Sequence, residues 1–352
     1  MCSLTSRNDS AVDRGWLARL PKVELHVHLE GAIPLRVLWD LLQKYGGDPH
    51  LATQEDLQKR FVYRDFPHFI DTWTWMIGLL REYEDFELTA EEVARDFARQ
   101  NIRYAEVFYS PPDFLAAGLE PQRLTEAIRS GLSRVPDVEI ALVADLVRDY
   151  GPQRGARMLS CINEVKQLGV IGVGIGGREY QSPPEVFREV YEAARKLGFK
   201  TSAHAGEAAG PESIWGSIKA LEVDRIGHGT RAIEDPRLVE YLAEHKVPLE
   251  LCVLSNVRTA VVAKAERHPA RIYFERGIPI SINTDDPTLF GNSLVDEYAA
   301  LHEQLGFSRS DIIRLIEQGI ETSWLSAERK QQMLGEFRRK MAALDGRPYP
   351  TE

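Results

Sequence analysis

The sequence predicts an α/β protein folded as a (β/α)8 TIM-type barrel with a helical insertion after strand 1 and extra C-terminal helices. Three observations carry this. Eight short β-branched runs can be counted, at 23–29, 104–110, 139–147, 170–177, 199–207, 225–230, 248–256 and 279–286. Segments of helical period lie between most of them, such as 121–133, 153–168, 184–197 and 236–245, long enough for the right-handed crossovers that join parallel strands. The chain has 352 residues, a length that one barrel commonly fills.

Taken in order, residues 1–15 read as a flexible N-terminal lead-in, because MCSLTSRNDS has no periodicity to bury. A single barrel domain is expected over 16–343. Its first run, PKVELHVHLEG, alternates Val23, Leu25, Val27 and Leu29 with Glu24, His26, His28 and Glu30. On a strand that period puts both imidazoles on one face. The gap to run two is far longer than the others, and 34–45, 54–61, 65–82 and 88–102 read as four inserted helices. This insertion, 34–102, is expected over the C-terminal mouth of the barrel, with its aromatics Phe61, Tyr63, Phe66, Phe69, Trp73 and Trp75 either lining a pocket or packing the insertion down. After run eight, 292–306, 308–319 and 325–343 are helical, and 344–352, with Pro348 and Pro350, forms a tail.

Composition narrows the function. Lys plus Arg total 43 against 53 Asp plus Glu, a net charge of −10, and no basic run stands out, so nucleic acid is not an expected partner. Three cysteines, Cys2, Cys161 and Cys252, are too few and too scattered for a disulfide framework, which fits a cytoplasmic location. The N-terminus has no apolar signal region, and no apolar run approaches a membrane span.

Barrels of this type carry their reacting groups at the C-terminal ends of strands. Here those ends are polar: His26, His28 and Glu30; His204 through Glu207; Gly227-His228-Gly229; Ser255-Asn256; and Asn283 through Asp286. A lone histidine on a half-buried strand is more often an interior residue than a ligand. Imidazole and carboxylate groups at several mouths of one cavity are different, because buried charge there needs a metal or mutual pairing. His26, His28 and His204 with Asp285 make a four-ligand set for zinc or a similar divalent ion, leaving a position for water. His228, between glycines, is placed to take that water's proton, and Asp286 to orient it. Glu207, three residues past His204 and kept protonated by burial, is placed to donate to a substrate ring nitrogen as the adjacent carbon is attacked. His50, His68, His245, His268 and His302 fall in helical or loop segments and are read as ordinary histidines.

The strings PKVELHVHLEGA, TSAHAGEAAGPESIW, DRIGHGTRAIED and SINTDDP together resemble the adenosine deaminase family of the metal-dependent amidohydrolases, from about Pro21 to the helices after 325. The resemblance implies one Zn2+ per chain on His26, His28, His204 and Asp285, a proton donor to purine N1 at Glu207, a water-activating histidine at His228 and a second aspartate at Asp286. It implies hydrolysis of a purine 6-amino group with release of ammonia. The cysteine-liganded zinc deaminases are excluded, since no P-C-x-x-C pair occurs.

Two positions depart from the family's pattern, both on the sugar side. Glu30 stands where the family usually has the aspartate of HLDG, and Gly177-Arg178-Glu179 stands where Gly-Asp-Glu is usual. Gly177 matches the glycine whose amide faces purine N3. Arg178 is expected either to point to solvent or pair with Glu179, or to face the pocket and favour an anionic substrate. Adenosine or 2′-deoxyadenosine is therefore the first expectation. Free adenine or the carboxylate-bearing 6-aminodeoxyfutalosine is the alternative, and a catalytically silent binding module comes last because every catalytic position is present.

Overall fold

The computed structural model describes residues 12–344. Strands β1 (Lys22–His28), β2 (Ile102–Tyr109), β3 (Glu139–Asp145), β4 (Val170–Gly174), β5 (Lys200–Ala205), β6 (Arg225–His228), β7 (Leu249–Leu251) and β8 (Ile280–Ile282) follow one another around the sheet in chain order. Every pairing is parallel. The barrel closes just beyond β8, where the His28 amide donates to the Asp285 carbonyl at 2.9 Å and the Asp285 amide to the His26 carbonyl at 3.1 Å. Closure therefore uses the backbone of the residues expected to carry the chemistry.

The chain enters through α1 (Arg14–Arg19), whose first turn is capped by Asp13, so order begins slightly before the expected boundary at 16. Residues 1–11 and 345–352, most of the expected lead-in and tail, lie outside the described residues. Between β1 and β2 come α2 (Leu35–Lys44), α3 (Gln54–Arg60), α4 (Phe66–Ile77) and α5 (Tyr83–Arg99). The expected helix 65–82 stops earlier, and α5 starts earlier than 88, because Glu82 and Asp85 form a reciprocal capping box. Crossovers α6 (Pro121–Leu132), α7 (Gly151–Glu164), α8 (Arg188–Lys196), α9 (Pro211–Gly216) and α10 (Pro236–His245) cover the outside.

Run seven departs furthest from expectation. Only Leu249–Leu251 is strand, and Val253–Arg258 is a helix, α11. Glu297 accounts for the switch, since its buried carboxylate accepts the first free amides of that helix, from Val253 and Leu254, each at 3.1 Å. The chain then passes through α12 (Ala270–Glu275) to β8 and finishes with α13 (Pro287–Phe290), α14 (Leu294–Leu305), α15 (Arg309–Thr322) and α16 (Ala327–Leu344). One cluster of buried apolar side chains runs from Trp16 to Met341. Among the described residues no helix is long and apolar enough to cross a membrane.

The barrel interior is not wholly apolar. Arg225 on β6 donates through Nε to Glu250 at 2.6 Å and through Nη2 to Glu106 at 2.5 Å, and all three side chains are buried. Tyr104 donates its hydroxyl to Glu106 at 2.9 Å, and the Trp324 amide does so at 2.6 Å. One guanidinium between two carboxylates has its fork of donors filled, the condition under which buried charge is tolerated.

Candidate active site

At the C-terminal mouth the side chains of β1, β5 and the turn after β8 meet. His204 Nε2 lies 3.0 Å from His26 Nε2 and 3.2 Å from His28 Nε2. Asp285 Oδ1 lies 3.6 Å from the first of those partners and 3.4 Å from the second. Ligands about 2.0–2.1 Å from a tetrahedral ion stand about 3.3–3.4 Å apart, so these separations are those of a metal's ligand set. The charges agree. Burial lowers His28 and His204, whereas hydrogen bonding to Asp285 and Glu250 overcomes burial at His26 and raises it to about 10. Left to themselves, the four groups hold a proton where a cation fits. Cys252 with His228 forms a second cluster sharing His26 and Asp285, but burial pushes its thiol well above the ordinary range, which disfavours the thiolate a metal needs.

Each of these groups is steered from behind. Glu250 Oε2 accepts from His26 Nδ1 at 2.7 Å, which leaves Nε2 as the free ligand atom, and Arg225 holds Glu250's own carboxylate below the usual range, at about 2, against the effect of burial. Ser255 Oγ donates to Asp285 Oδ2 at 2.6 Å. Glu24 accepts from the Thr284 amide at 2.7 Å, fixing the turn whose next residue, Asp285, takes a left-handed φ of 66°. None of Glu24, Glu106, Arg225 or Glu250 was anticipated from the sequence. Glu24 and Glu250 do occupy alternate positions from strand ligands or ends, which is the one signal available for them.

Glu207, His228 and Asp286 lie beside the cluster and line the same cavity. Glu207 Oε2 is 3.5 Å from His228 Nε2. Burial, then the charges of Asp285 and Glu179, push the Glu207 carboxyl well above its ordinary value, while burial lowers His228 to about 3. At neutral pH Glu207 therefore carries a proton and His228 no charge. A chain of hydrogen bonds sets the tautomer. The Ala270 amide donates to His268 Nδ1 at 3.2 Å, and a backbone N–H can only donate. Neutral His268 then carries its hydrogen on Nε2 and gives it to Asn256 Oδ1 at 3.2 Å, so Asn256 Nδ2 donates to His228 Nδ1 at 3.2 Å. The hydrogen of neutral His228 is left on Nε2. Among the described residues His228 Nε2 and Asp286 Oδ1, like Nδ1 of His28 and of His204, have no hydrogen-bond partner. Burial and the charge of Asp285 push Asp286 well above its usual range. Gly31 makes room for it, since a Cβ there would sit 1.8 Å from Asp286 Oδ1.

The cavity beyond, about 330 Å³, is at the small end for a ligand pocket. One wall is α4, through Phe66, Phe69, Ile70, Trp73, Thr74 and Ile77. The insertion thus lies over the mouth, with the Trp73 ring 5.7 Å from that of His28 and Phe69 stacked near Phe290 at 5.1 Å. Of the expected aromatics, Phe66, Phe69 and Trp73 line the pocket; Phe61 is buried in the core and Trp75 packs under the Arg60 guanidinium at 4.0 Å. The other wall carries Ser110, Asp113, Asp145, Val147, Asp149, Tyr150, Gly177 and Arg178.

The substrate-side expectations fare unevenly. Gly177 lines the cavity with a φ of 100°, and any side chain there would collide with Asp149. Arg178 also lines it, but pairs neither with solvent alone nor with Glu179: its backbone amide and Nη1 both donate to Asp149, each at 2.8 Å. The reason is that Glu179 is engaged by backbone amides on another loop. Glu30 is fully buried and is not on the cavity wall; its Oε1 accepts the Ser110 amide at 3.0 Å, and burial raises it to about 8. It supports the wall at Ser110. His50, His68, His245, His268 and His302 remain off the cavity wall, although His268 reaches the site through Asn256.

Relatives place this geometry. The chain is 33% identical over 328 residues to an aminodeoxyfutalosine deaminase from Streptomyces coelicolor, covering 92% of this chain and 84% of that one. It is 32% identical over 335 residues to an adenosine deaminase from Serratia proteamaculans, covering 91% and 99%. Among solved structures, an adenine deaminase from Arthrobacter aurescens superposes with a TM-score of 0.87 at 27% identity, covering 92% and 99%. An amidohydrolase from Burkhoderia ambifaria with bound zinc superposes at 0.86, again at 27% identity, covering 98% of each. Residues 21–340 match the family model described as adenosine deaminase, and the chain belongs to that family of metal-dependent deaminases acting on adenine-type substrates.

Proposed function

We propose that the protein is a zinc-dependent, cytoplasmic 6-aminopurine nucleoside deaminase, with adenosine and 2′-deoxyadenosine as first substrates. The observation that carries the reading is the metal-spaced cluster of His26, His28, His204 and Asp285 with the buried Glu207 carboxyl, which burial pushes well above its ordinary value, on one cavity. A zinc ion on those four groups supplies a Lewis acid that makes water nucleophilic at neutral pH. The chain's own residues do the remainder. Glu207 gives its proton to purine N1, so negative charge does not build on the ring as C6 is attacked. His228 offers Nε2–H to the attacking oxygen, a donor's role where the sequence reading expected a proton acceptor. Asp286, whose Oδ1 has no hydrogen-bond partner among the described residues, takes one of that oxygen's hydrogens; burial and then the charge of Asp285 raise its carboxyl, and a cation held by Asp285 would offset the second of these. That hydrogen passes to the leaving amino group as the C6–N bond breaks, and the water's second hydrogen, lost as the 6-oxo group forms, restores the proton on Glu207. Gly177 presents its amide towards N3.

A second reading, 6-aminodeoxyfutalosine, has its own support in Arg178 on the cavity wall, whose guanidinium would suit a carboxylated arm. The Asp149 partner weighs against it, because an anionic group must compete for a guanidinium already paired.

Four outcomes follow. His204→Ala removes one of four ligands, so elemental analysis should find metal content sharply reduced; full zinc occupancy would disprove the ligand set. Glu207→Gln keeps the shape without the proton, and turnover should fall at least ~100-fold with metal retained. Near-native turnover in that variant rules the donor role out. In the ¹⁵N spectrum of histidine-labelled protein, His228 should carry its hydrogen on Nε2; a protonated Nδ1 with a bare Nε2 would restore it as the base. For the substrate, kcat/KM should be compared for adenosine, adenine and 6-aminodeoxyfutalosine in wild type and Arg178→Ala. Preference for adenosine, unchanged in the variant, is expected; a preference for the carboxylated compound that falls about 10- to 150-fold in the variant, the worth of one charged hydrogen bond, would give the enzyme to the second reading.

A further inference from the structure

The buried carboxylate of Glu179, 4% exposed, has been given no role of its own beyond its charge on Glu207. No ion pair holds it among the described residues. Four successive backbone amides do: Gly206 N–H donates to Oε1 at 2.6 Å, and the amides of Glu207, Ala208 and Ala209 donate to Oε2 at 3.1, 2.8 and 2.9 Å. A left-handed residue lets successive amides outside a helix turn to one side, and Gly206 has φ of 70°. Residues 206–209 lie between β5 and α9 and belong to neither, so no helix or strand ladder fixes them. Hydrogen bonds to an ionised acceptor are among the strongest available for this purpose.

We propose that Glu179 is a positioning residue for Glu207, an inference that rests on reading Glu207 as the proton donor. By taking the amide of Glu207 and those of its three neighbours, Glu179 holds one loop conformation and thereby keeps the Glu207 carboxyl beside His228 Nε2. Arg178 and Glu179, adjacent in sequence, bind two different mouth loops, one through Asp149 and the other through residues 206–209. The segment after β4 is in this sense a strut between the substrate wall and the proton donor.

The test is a double-mutant cycle with Glu179→Gln, Glu207→Gln and both. Glutamine replaces one acceptor oxygen with an NH2 group, so at least one amide must face a donor. Glu179→Gln should lower kcat about 10- to 100-fold, the scale of displacing a catalytic group by about 1 Å, with KM within about threefold and metal content unchanged. Added to Glu207→Gln, it should cost less than about threefold more, because its effect runs through the missing proton. Losses that multiply, a kcat within about threefold of wild type, or a fall that tracks metal loss would each overturn the proposal. Hydrogen exchange of the 206–209 amides in wild type supplies a check that needs no variant: strong protection is expected, and exchange at open-loop rates would refute the clamp. If Glu207→Gln alone proves harmless, the proton-donor reading fails, and the exchange result still reports separately on the clamp.

Discussion

The mouth of this barrel depends on the hold that Glu250 has on His26. An imidazole can turn either nitrogen to a site, and only the carboxylate at 2.7 Å from Nδ1 commits Nε2 to the three-histidine cluster. Glu250 in turn would be a buried charge without compensation were it not for Arg225, and Arg225 is balanced by Glu106. The polar chain thus runs from β2 through β6 and β7 to the ligand on β1, strands on different sides of the barrel. Closing the barrel and orienting the ligand are one act, since the closure bonds themselves join His26 and His28 to Asp285.

Burial does the second half of the work. The proton on Glu207 and the neutrality of His228 both have desolvation as their first cause. What excludes water is the insertion after β1, whose helix α4 lays Trp73 against His28 and Phe69 against Phe290. A mouth open to solvent would return both groups towards ordinary values and remove the acid from neutral pH. On the proposed reading the inserted helices would therefore serve the acid–base chemistry although none of their side chains would titrate in it.

Much of this was legible in the sequence, for identifiable reasons. His26 and His28 declared themselves through the period of two, and His204, His228 and Asp285 through polar endings on apolar runs, so the eight strands and the convergent site could be read together. Glu250, Arg225 and Glu106 could not, because Glu106 and Glu250 are single charges inside apolar runs, Arg225 sits beside Asp224 at the start of one, and each has its partner on another strand; only the closed barrel brings them together. The helix α11 was hidden for a similar reason. Its residues have strand composition, and what makes them helical is Glu297, far along the chain, accepting their first amides. For Arg178, left open between solvent, Glu179 and the pocket, the Asp149 partner was not legible, because Asp149 comes from the loop after β3.

The substrate side is governed by a different balance from the metal side. Asp113, which burial raises to about 6, receives the Tyr150 hydroxyl at 2.8 Å, and Asp149 receives Arg178, so the acids on this wall are already engaged by donors from neighbouring loops. Engaged carboxylates keep spare lone pairs and suit the hydroxyls of a ribose, which add donors without adding charge. An anionic arm meets the opposite situation, with acids along the wall and one guanidinium whose attraction is shared with Asp149. If the substrate is a nucleoside, as proposed, discrimination between a neutral and a carboxylated one would rest on whether the Arg178–Asp149 pair stays closed when it enters. A pair whose arginine is 36% exposed at the rim is weakly held by its own charge attraction, and the Arg178 backbone amide, donating to Asp149 Oδ2 at 2.8 Å, adds a second hold on the carboxylate.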